Sequence, residues 1–421
     1  MKIASLGIVA STALLGLTLS AQAVEISITC GSVGKDAKLC QNNVETWEKQ
    51  TGHQVKIILM PQSTTVQLAL HQQWMASQST PDVIKSDVIW PGLLANHLVD
   101  LSSYVDKSIL KQHFPAIVEA GTVKGRLVGI PWFTDVGVLY YRQDLLEKYK
   151  LPVPTTWAEL ATTAKTIQEA ERKAGNAKMW GFVWQGRAYE GLTCDALEWI
   201  ASYGGGAIVN ELGQSTVYNP QAIKAIDNVA KWVNTISPPG VLNYAEEDAR
   251  GLFQSGNAVF MRNWPYAWAL SQNEDSPVKG KVGVTVLPKG GQSGQHAGTL
   301  GGWQLAVSKY SKHPDIAVDL VLYLTSQERQ KKQAIEGSFL PTIVALYQDQ
   351  AVLEANPFFA QLENSLKNPV VRPSRITGSQ YNKVSTAFWN AVHSVLSGRA
   401  NARDSLKRLS RKLERIRRNR R

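Results

Sequence analysis

Apolar and polar residues alternate from Glu25 to Thr29, the period of a half-buried strand. Leu39, Val44 and Trp47 then recur near helical spacing within residues 36–50, and Thr51-Gly52 closes that helix. Residues 55–59 predict a second strand and residues 64–78 a second helix. A third strand starts at Pro81-Asp82-Val83-Ile84 and ends in Ser86-Asp87-Val88-Ile89-Trp90. Strand and helix alternating in this way predict an open α/β sheet with right-handed crossovers. Ligands of such sheets sit outside the carboxyl ends of the strands, which directs attention to the loops at 31–36 and 86–90.

The segment Gly129-Ile130-Pro131-Trp132-Phe133-Thr134-Asp135 breaks that rhythm, and a strand resumes at 136–141. Helical patterns follow at 157–174, 192–203, 220–235 and 246–254, punctuated by Pro238-Pro239-Gly240. Strands at 282–286 and 303–307 flank a stretch rich in Gly, Gln and Ser, and helices fill the remainder. In the last of them, 404–416, Leu406, Leu409, Leu413 and Ile416 form one apolar stripe on a basic helix. No internal repeat is visible.

The chain has 421 residues, 44% hydrophobic and 19% charged, the balance of an ordinary globular protein of two or three domains. A disordered, collagen-like or disulfide-dense chain is excluded. The net charge of +11 points to nucleic acid until it is located: residues 399–421 hold eleven Lys/Arg and two Asp/Glu. The rest of the chain is close to neutral, so nucleic acid is not expected as a partner. The Arg-rich face of the last helix reads as solvated, with attraction to an anionic membrane surface as the second reading. At the other end, Lys2, an apolar stretch at 3–19 and Ala21-Gln22-Ala23 compose a signal peptide with cleavage after Ala23. The stretch is short of the ~20 residues a spanning helix needs. A soluble protein exported to the periplasm is expected. In that oxidising compartment Cys30 and Cys40, flanking one short strand-to-helix loop, predict a disulfide with Cys194 left over; three buried thiols is the alternative. Seven scattered histidines with no H-x-x-x-H or C-x-x-C predict no metal site.

No G-x-S-x-G, G-x-x-x-x-G-K-[ST] or G-x-G-x-x-G occurs, which weakens hydrolase, nucleotide triphosphatase and nucleotide-dependent oxidoreductase readings in turn. Tryptophan is informative: its count of 13 equals that of Tyr and exceeds that of Phe, at 9. Several stand at strand ends beside polar residues: Trp90 after Asp87, Trp132 before Asp135, Trp264 with Tyr266. A sugar offers an apolar C–H face to an aromatic platform and a rim of hydroxyls to fixed Asp, Asn and Arg groups. The bland reading of each Trp is core.

The ordered motifs extend over the whole mature chain. Thr80-Pro81-Asp82-Val83 leads into Asp87-Val88-Ile89-Trp90; then come Gly129-Ile130-Pro131-Trp132 with Asp135, and Gly137 to Arg142 with Asp144-Leu145-Leu146. Gly256-Asn257-Ala258-Val259-Phe260-Met261, Asn263-Trp264-Pro265, Val282-Gly283-Val284 to Leu287-Pro288, and Gly301-Gly302-Trp303-Gln304-Leu305-Ala306-Val307 follow, with residues 317–324 closing the run. In this order they resemble the sugar-binding proteins of bacterial ABC importers, the group of maltose- and trehalose/maltose-binding proteins. Asp87-Val88-Ile89-Trp90-Pro91-Gly92 and Val371-Arg372-Pro373 with Tyr381 are most similar to trehalose-binding members.

The resemblance implies a maltose-binding-protein-like α/β fold of two lobes and a hinge, with lobe one at 24–134 and 283–337 and lobe two at 135–282 and 338–421. It implies a monomer that captures an α-linked disaccharide (trehalose, maltose or, as a further option, sucrose) and delivers it to permease subunits in the inner membrane, with no cofactor and no reaction. Another oligosaccharide or a polyol is the alternative ligand, and an exported glycoside hydrolase the alternative class. Carried over residue by residue, the sugar site would comprise Asp36, Asp87, Trp90, Asp135, Trp264, Tyr266 and Arg372, with Arg375 as the rival of Arg372. Asp36 stands where trehalose/maltose-binding relatives carry Glu, and Phe133 where some have Tyr. Gly301 and Gly302 would let backbone amides approach the ligand. Gln185, Glu190 and Glu198 are looser candidates.

Overall fold

The computed structural model describes residues 23–419, so residues 1–22 of the expected leader lie outside the described residues. Two sheets organise the chain. The first has five strands in the order β2-β1-β3-β11-β6: β1 (Glu25–Cys30), β2 (Gln54–Leu59), β3 (Val83–Asp87), β6 (Ile130–Val136) and β11 (Leu300–Val307). Here β1 runs parallel to β2 and β3, whereas β11 is antiparallel to both β3 and β6. The second has four strands in the order β10-β7-β9-β8: β7 (Val138–Arg142), β8 (Trp180–Val183), β9 (Ala258–Asn263) and β10 (Val282–Val286). A small ribbon of β4 (Thr122–Val123) and β5 (Arg126–Leu127) completes the set.

The predicted elements between residues 25 and 87 appear within a few residues of expectation. Helix Asp36–Thr51 buries Leu39, Val44 and Trp47, and Gly52 ends it in the left-handed conformation that glycine adopts without penalty. A disulfide joins Cys30, the last residue of β1, to Cys40 on that helix; Cys194 is buried and free. In helix Trp157–Lys173, Thr156 and Glu159 satisfy each other's backbone amides, a capping box. The apolar stripe of the last helix, Ala402–Arg418, buries Leu406, Leu409 and Leu413 and packs on helices Tyr381–Leu396 and Pro220–Ala230.

Three expectations change. The segment from Gly129 that read as a break is strand β6, buried at every position. It lies at the edge of its sheet, where Pro131 loses no ladder partner on the open side. Strand β10 pairs with β7 along its whole length, so sheet membership changes between Val286 and Leu300, not at 282/283. Finally, residues 338–421 do not fall to one side. Leu340 and Ile343 bridge to Thr134 of β6 and to His113, whereas Phe388, Val392 and Leu406 join the core around helix Glu190–Ser202.

Candidate functional site

Period two puts Lys85 and Asp87 on one face of β3, and the loop after β1 brings Asp36 to the same end of the sheet. The Lys85 ammonium is hydrogen-bonded to Asp36 Oδ2, both side chains being buried. It also lies 4.0 Å from the ring centroid of Trp303 and 5.2 Å from that of Phe133. Asp87 Oδ1 accepts the Ile89 amide at 3.2 Å and an Arg372 guanidinium N–H at 3.2 Å. Arg372 donates also to Glu190 Oε1 at 3.0 Å and the Leu300 carbonyl at 3.3 Å. Glu190 opens helix Glu190–Ser202 beside the second sheet and is held by Tyr381 and, at 2.7 Å, by Ser385. One buried arginine therefore ties the end of β3 to the second half of the molecule. Burial raises the Asp87 and Glu190 carboxyls above their ordinary values despite the Arg372 charge.

Asp135, near the end of β6, is enclosed as well, and its Oδ1 has no hydrogen-bond partner among the described residues. Burial pushes its carboxyl up to about 8; Lys85 opposes that rise, and Asp87 and Asp36 add to it. The folded form then keeps a proton that the unfolded chain has released above the ordinary value of 3.8. Stability from this group is full below about pH 4 and is lost as pH rises toward 8. Thermal melts across that range should show the wild type losing stability relative to Asp135→Asn as pH increases. A difference that stays flat would mean that Asp135 ionises like a solvated acid.

Trp264 and Tyr266 come from the turn after β9. Trp264 lies over the Arg262 guanidinium at 3.9 Å and beside Gly301, where a Cβ would stand 3.2 Å from its ring and 3.1 Å from Asp135 Cβ. Tyr266 donates to Glu247 at 2.7 Å and its ring closes on Gly34, in the loop after β1. Beneath them Arg262 is fully buried, chelated by Glu198 at 2.9 and 2.5 Å, 3.0 Å from Asp195, and hydrogen-bonded to Gln185 at 3.0 Å. Burial works against its charge, but Asp195 and Glu198 overcome that and hold its pKa above the ordinary value. Among the described residues no three His, Cys, Asp or Glu side chains are placed to hold a metal ion.

The structure thus brings together Asp36, Asp87, Asp135, Trp264, Tyr266, Gly301 and Arg372 at the meeting of the two sheets. It places Arg375 at the surface, paired with Glu119. Trp90 is 1% exposed and packs against His71 and, edge-on, against Trp303 at 5.6 Å, so it backs the site from the core. Gly302 has φ +120, and a Cβ there would meet the Phe133 carbonyl at 2.6 Å; the neighbouring strand alone demands glycine. Gln185 and Glu198 hold Arg262, one layer behind. Sequence reasoning missed Lys85, Arg262 and Trp303. The signal available for Lys85 was its place two residues before Asp87, between the apolar pairs Val83-Ile84 and Val88-Ile89.

Residues 34–331 match the family described as bacterial extracellular solute-binding protein. The chain is similar to a probable ABC transporter-binding protein of Deinococcus radiodurans, 50% identical over 412 residues, covering 96% of this chain and 98% of that protein. A galactooligosaccharide-binding protein of Bacillus subtilis is 23% identical, over 86% of this chain and 83% of its own. Among solved structures, the maltose-bound MalE3 of T. maritima superposes with a TM-score of 0.88 at 41% identity, covering 94% of this chain and all of that one.

Proposed function

Because this chain belongs to the bacterial extracellular solute-binding proteins, which are binders and not enzymes, we propose that it captures an α-linked disaccharide, trehalose or maltose, for an ABC importer. The observation that carries this reading is the convergence of Asp36, Asp87, Asp135 and Arg372 with the rings of Trp264 and Trp303 where the two sheets meet. Fixed charged groups suit the rim of a sugar and aromatic faces its C–H surface. The similarity to a maltose-bound structure supports the same class.

In this reading the connections at Gly137 and between β10 and β11 are the hinge. Asp36, Asp87 and Trp303 stand on one lobe, and Glu190, Trp264 and Tyr266 on the other. Arg372 spans Asp87 and Glu190 only when the lobes approach, so the closed arrangement is one that ligand binding selects. A sugar hydroxyl donating to Asp135 would supply the partner its Oδ1 lacks and favour its charged form. The exported location, cleavage after Ala23, monomeric state and delivery to permease subunits belong to the same proposal. Another oligosaccharide or a polyol on this scaffold is the second reading, since side chains at the site and not the fold set specificity.

A tryptophan-fluorescence titration of residues 24–421 tests it, with trehalose, maltose, sucrose, mannitol and glucose in parallel. Saturable binding of trehalose or maltose, tighter than that of glucose and mannitol, is the expected result. A response to mannitol alone would move the assignment to polyols, and silence toward all five would overturn it.

A further inference from the structure

Lysine is almost never fully buried unless paired, yet Lys85 is enclosed in the middle of the site. Its direct partner is Asp36, and its charge is also the largest opposing influence on burial at Asp135 and reaches Asp87. Lys85 is thus the counter-charge of Asp36, with Asp135 and Asp87 close enough to feel it, while Arg372 is divided between Asp87 and Glu190 and Arg262 is consumed by Asp195 and Glu198. The place is built for it. Gly31 leaves the space that the Asp36–Lys85 pair fills, since a Cβ there would overlap both groups. Thr29 fixes the backbone by accepting the Lys85 amide at 2.8 Å. The ammonium stands over the face of Trp303, inside the aromatic wall formed with Phe133 and Trp132.

We infer that Lys85 is a specificity-determining residue of this site: it is the resident cation that balances Asp36, beside Asp87 and Asp135, and so reserves the cleft for uncharged polyhydroxyl ligands against amine-bearing ones. The inference rests on the sugar-binding reading above. Its physical content is charge exclusion. A ligand ammonium entering among these acids would lie close to the Lys85 ammonium in a poorly screened setting, and like charges a few ångströms apart repel strongly there. Without Lys85 the Asp36 carboxylate would lack a counter-charge, and a ligand amine could supply it.

The test is calorimetric titration with two ligand pairs, trehalose with an aminodeoxytrehalose and maltose with an aminodeoxymaltose, near neutral pH. The wild type should prefer the neutral member of whichever pair it binds. Lys85→Met should shift the affinity ratio toward the amine by about tenfold or more, whereas Lys85→Arg, which keeps the charge, should retain the preference. Asp36→Asn removes one acid and leaves Lys85 in excess, so its ratio should move the opposite way, toward the neutral sugar. It also keeps the inference testable should the methionine variant fail to fold. A merely structural role would weaken both members of a pair alike and leave the ratio in place. Unchanged ratios in the variants, with a wild type that binds the neutral sugar, would overturn the role of Lys85 alone. A wild type that binds neither pair would overturn the sugar-binding reading and this inference with it.

Discussion

Replacing Arg372 with leucine is expected to weaken disaccharide binding by two orders of magnitude or more. The guanidinium is 4% exposed and joins Asp87, at the end of β3, to Glu190, at the start of helix Glu190–Ser202. Removing one partner of a buried ion pair costs about 3–5 kcal/mol, because the charge left behind has neither water nor a counter-ion. That range corresponds to roughly a hundred- to several-thousandfold in affinity. In the open form both carboxylates would regain water, so the cost should fall on closure and not on unfolding. The expected pattern is a large loss in the fluorescence titration with a melting temperature of unliganded protein close to wild type. Arg375→Leu, which removes only a surface pair with Glu119, should change neither by more than the ~0–1 kcal/mol typical of exposed ion pairs. A dissociation constant for Arg372→Leu within threefold of wild type would exclude Arg372 from the closure mechanism.

The second large effect should be on stability. Arg262→Met leaves Asp195 and Glu198 buried without their counter-charge, again about 3–5 kcal/mol. With lobe two behaving as a unit of ordinary size, at roughly 2–4 °C per kcal/mol, its melting transition should drop by about 10 °C. The loss reaches further than the pair. Glu198 Oε1 also accepts the Thr299 amide at 3.0 Å, at the entrance to β11, and a Cβ on Gly137 would collide with both Glu198 and Arg262. Both crossings between the sheets therefore rest on this one cluster, and Trp264 loses the cation beneath its ring. Calorimetric melts with and without disaccharide would read both consequences. A transition within 2 °C of wild type would show that these acids find other partners or are neutral.

How much of this was legible beforehand follows from what each residue's signal depends on. The alternation at the start of the chain is legible because strand and helix periods differ and the edge strand β2 and the start of β1 keep one face partly exposed. Strand β6 was hidden because a run buried at every position shows no alternation, and Pro131 looks like punctuation unless the strand is known to be an edge. The return to the first sheet was misplaced because β10 and β11 are both short apolar runs, and pairing partners carry no local signature. At the site, Asp87, Asp135 and Arg372 stood out through ordered motifs. Lys85 did not, since a lysine in a strand reads as solvent-facing until Gly31 and Asp36 are placed beside it. Trp90 drew attention by standing three residues after Asp87, yet the turn that follows β3 sends its ring into the core against His71 and Trp303.

The order of strands in the first sheet bears on how the molecule comes into being. Its strand β11 (Leu300–Val307) lies between β3 (Val83–Asp87) and β6 (Ile130–Val136), so the middle of the earliest-made half is supplied by residues synthesised long afterwards. Until they arrive, β3 and β6 have no strand between them and Asp87 faces no Trp303. Pairings this distant along the chain slow folding, since loop closure must precede the contacts that reward it. For a chain of an extracellular family that delay would be useful, since a polypeptide not yet folded on the side where it is made can still be passed across a membrane.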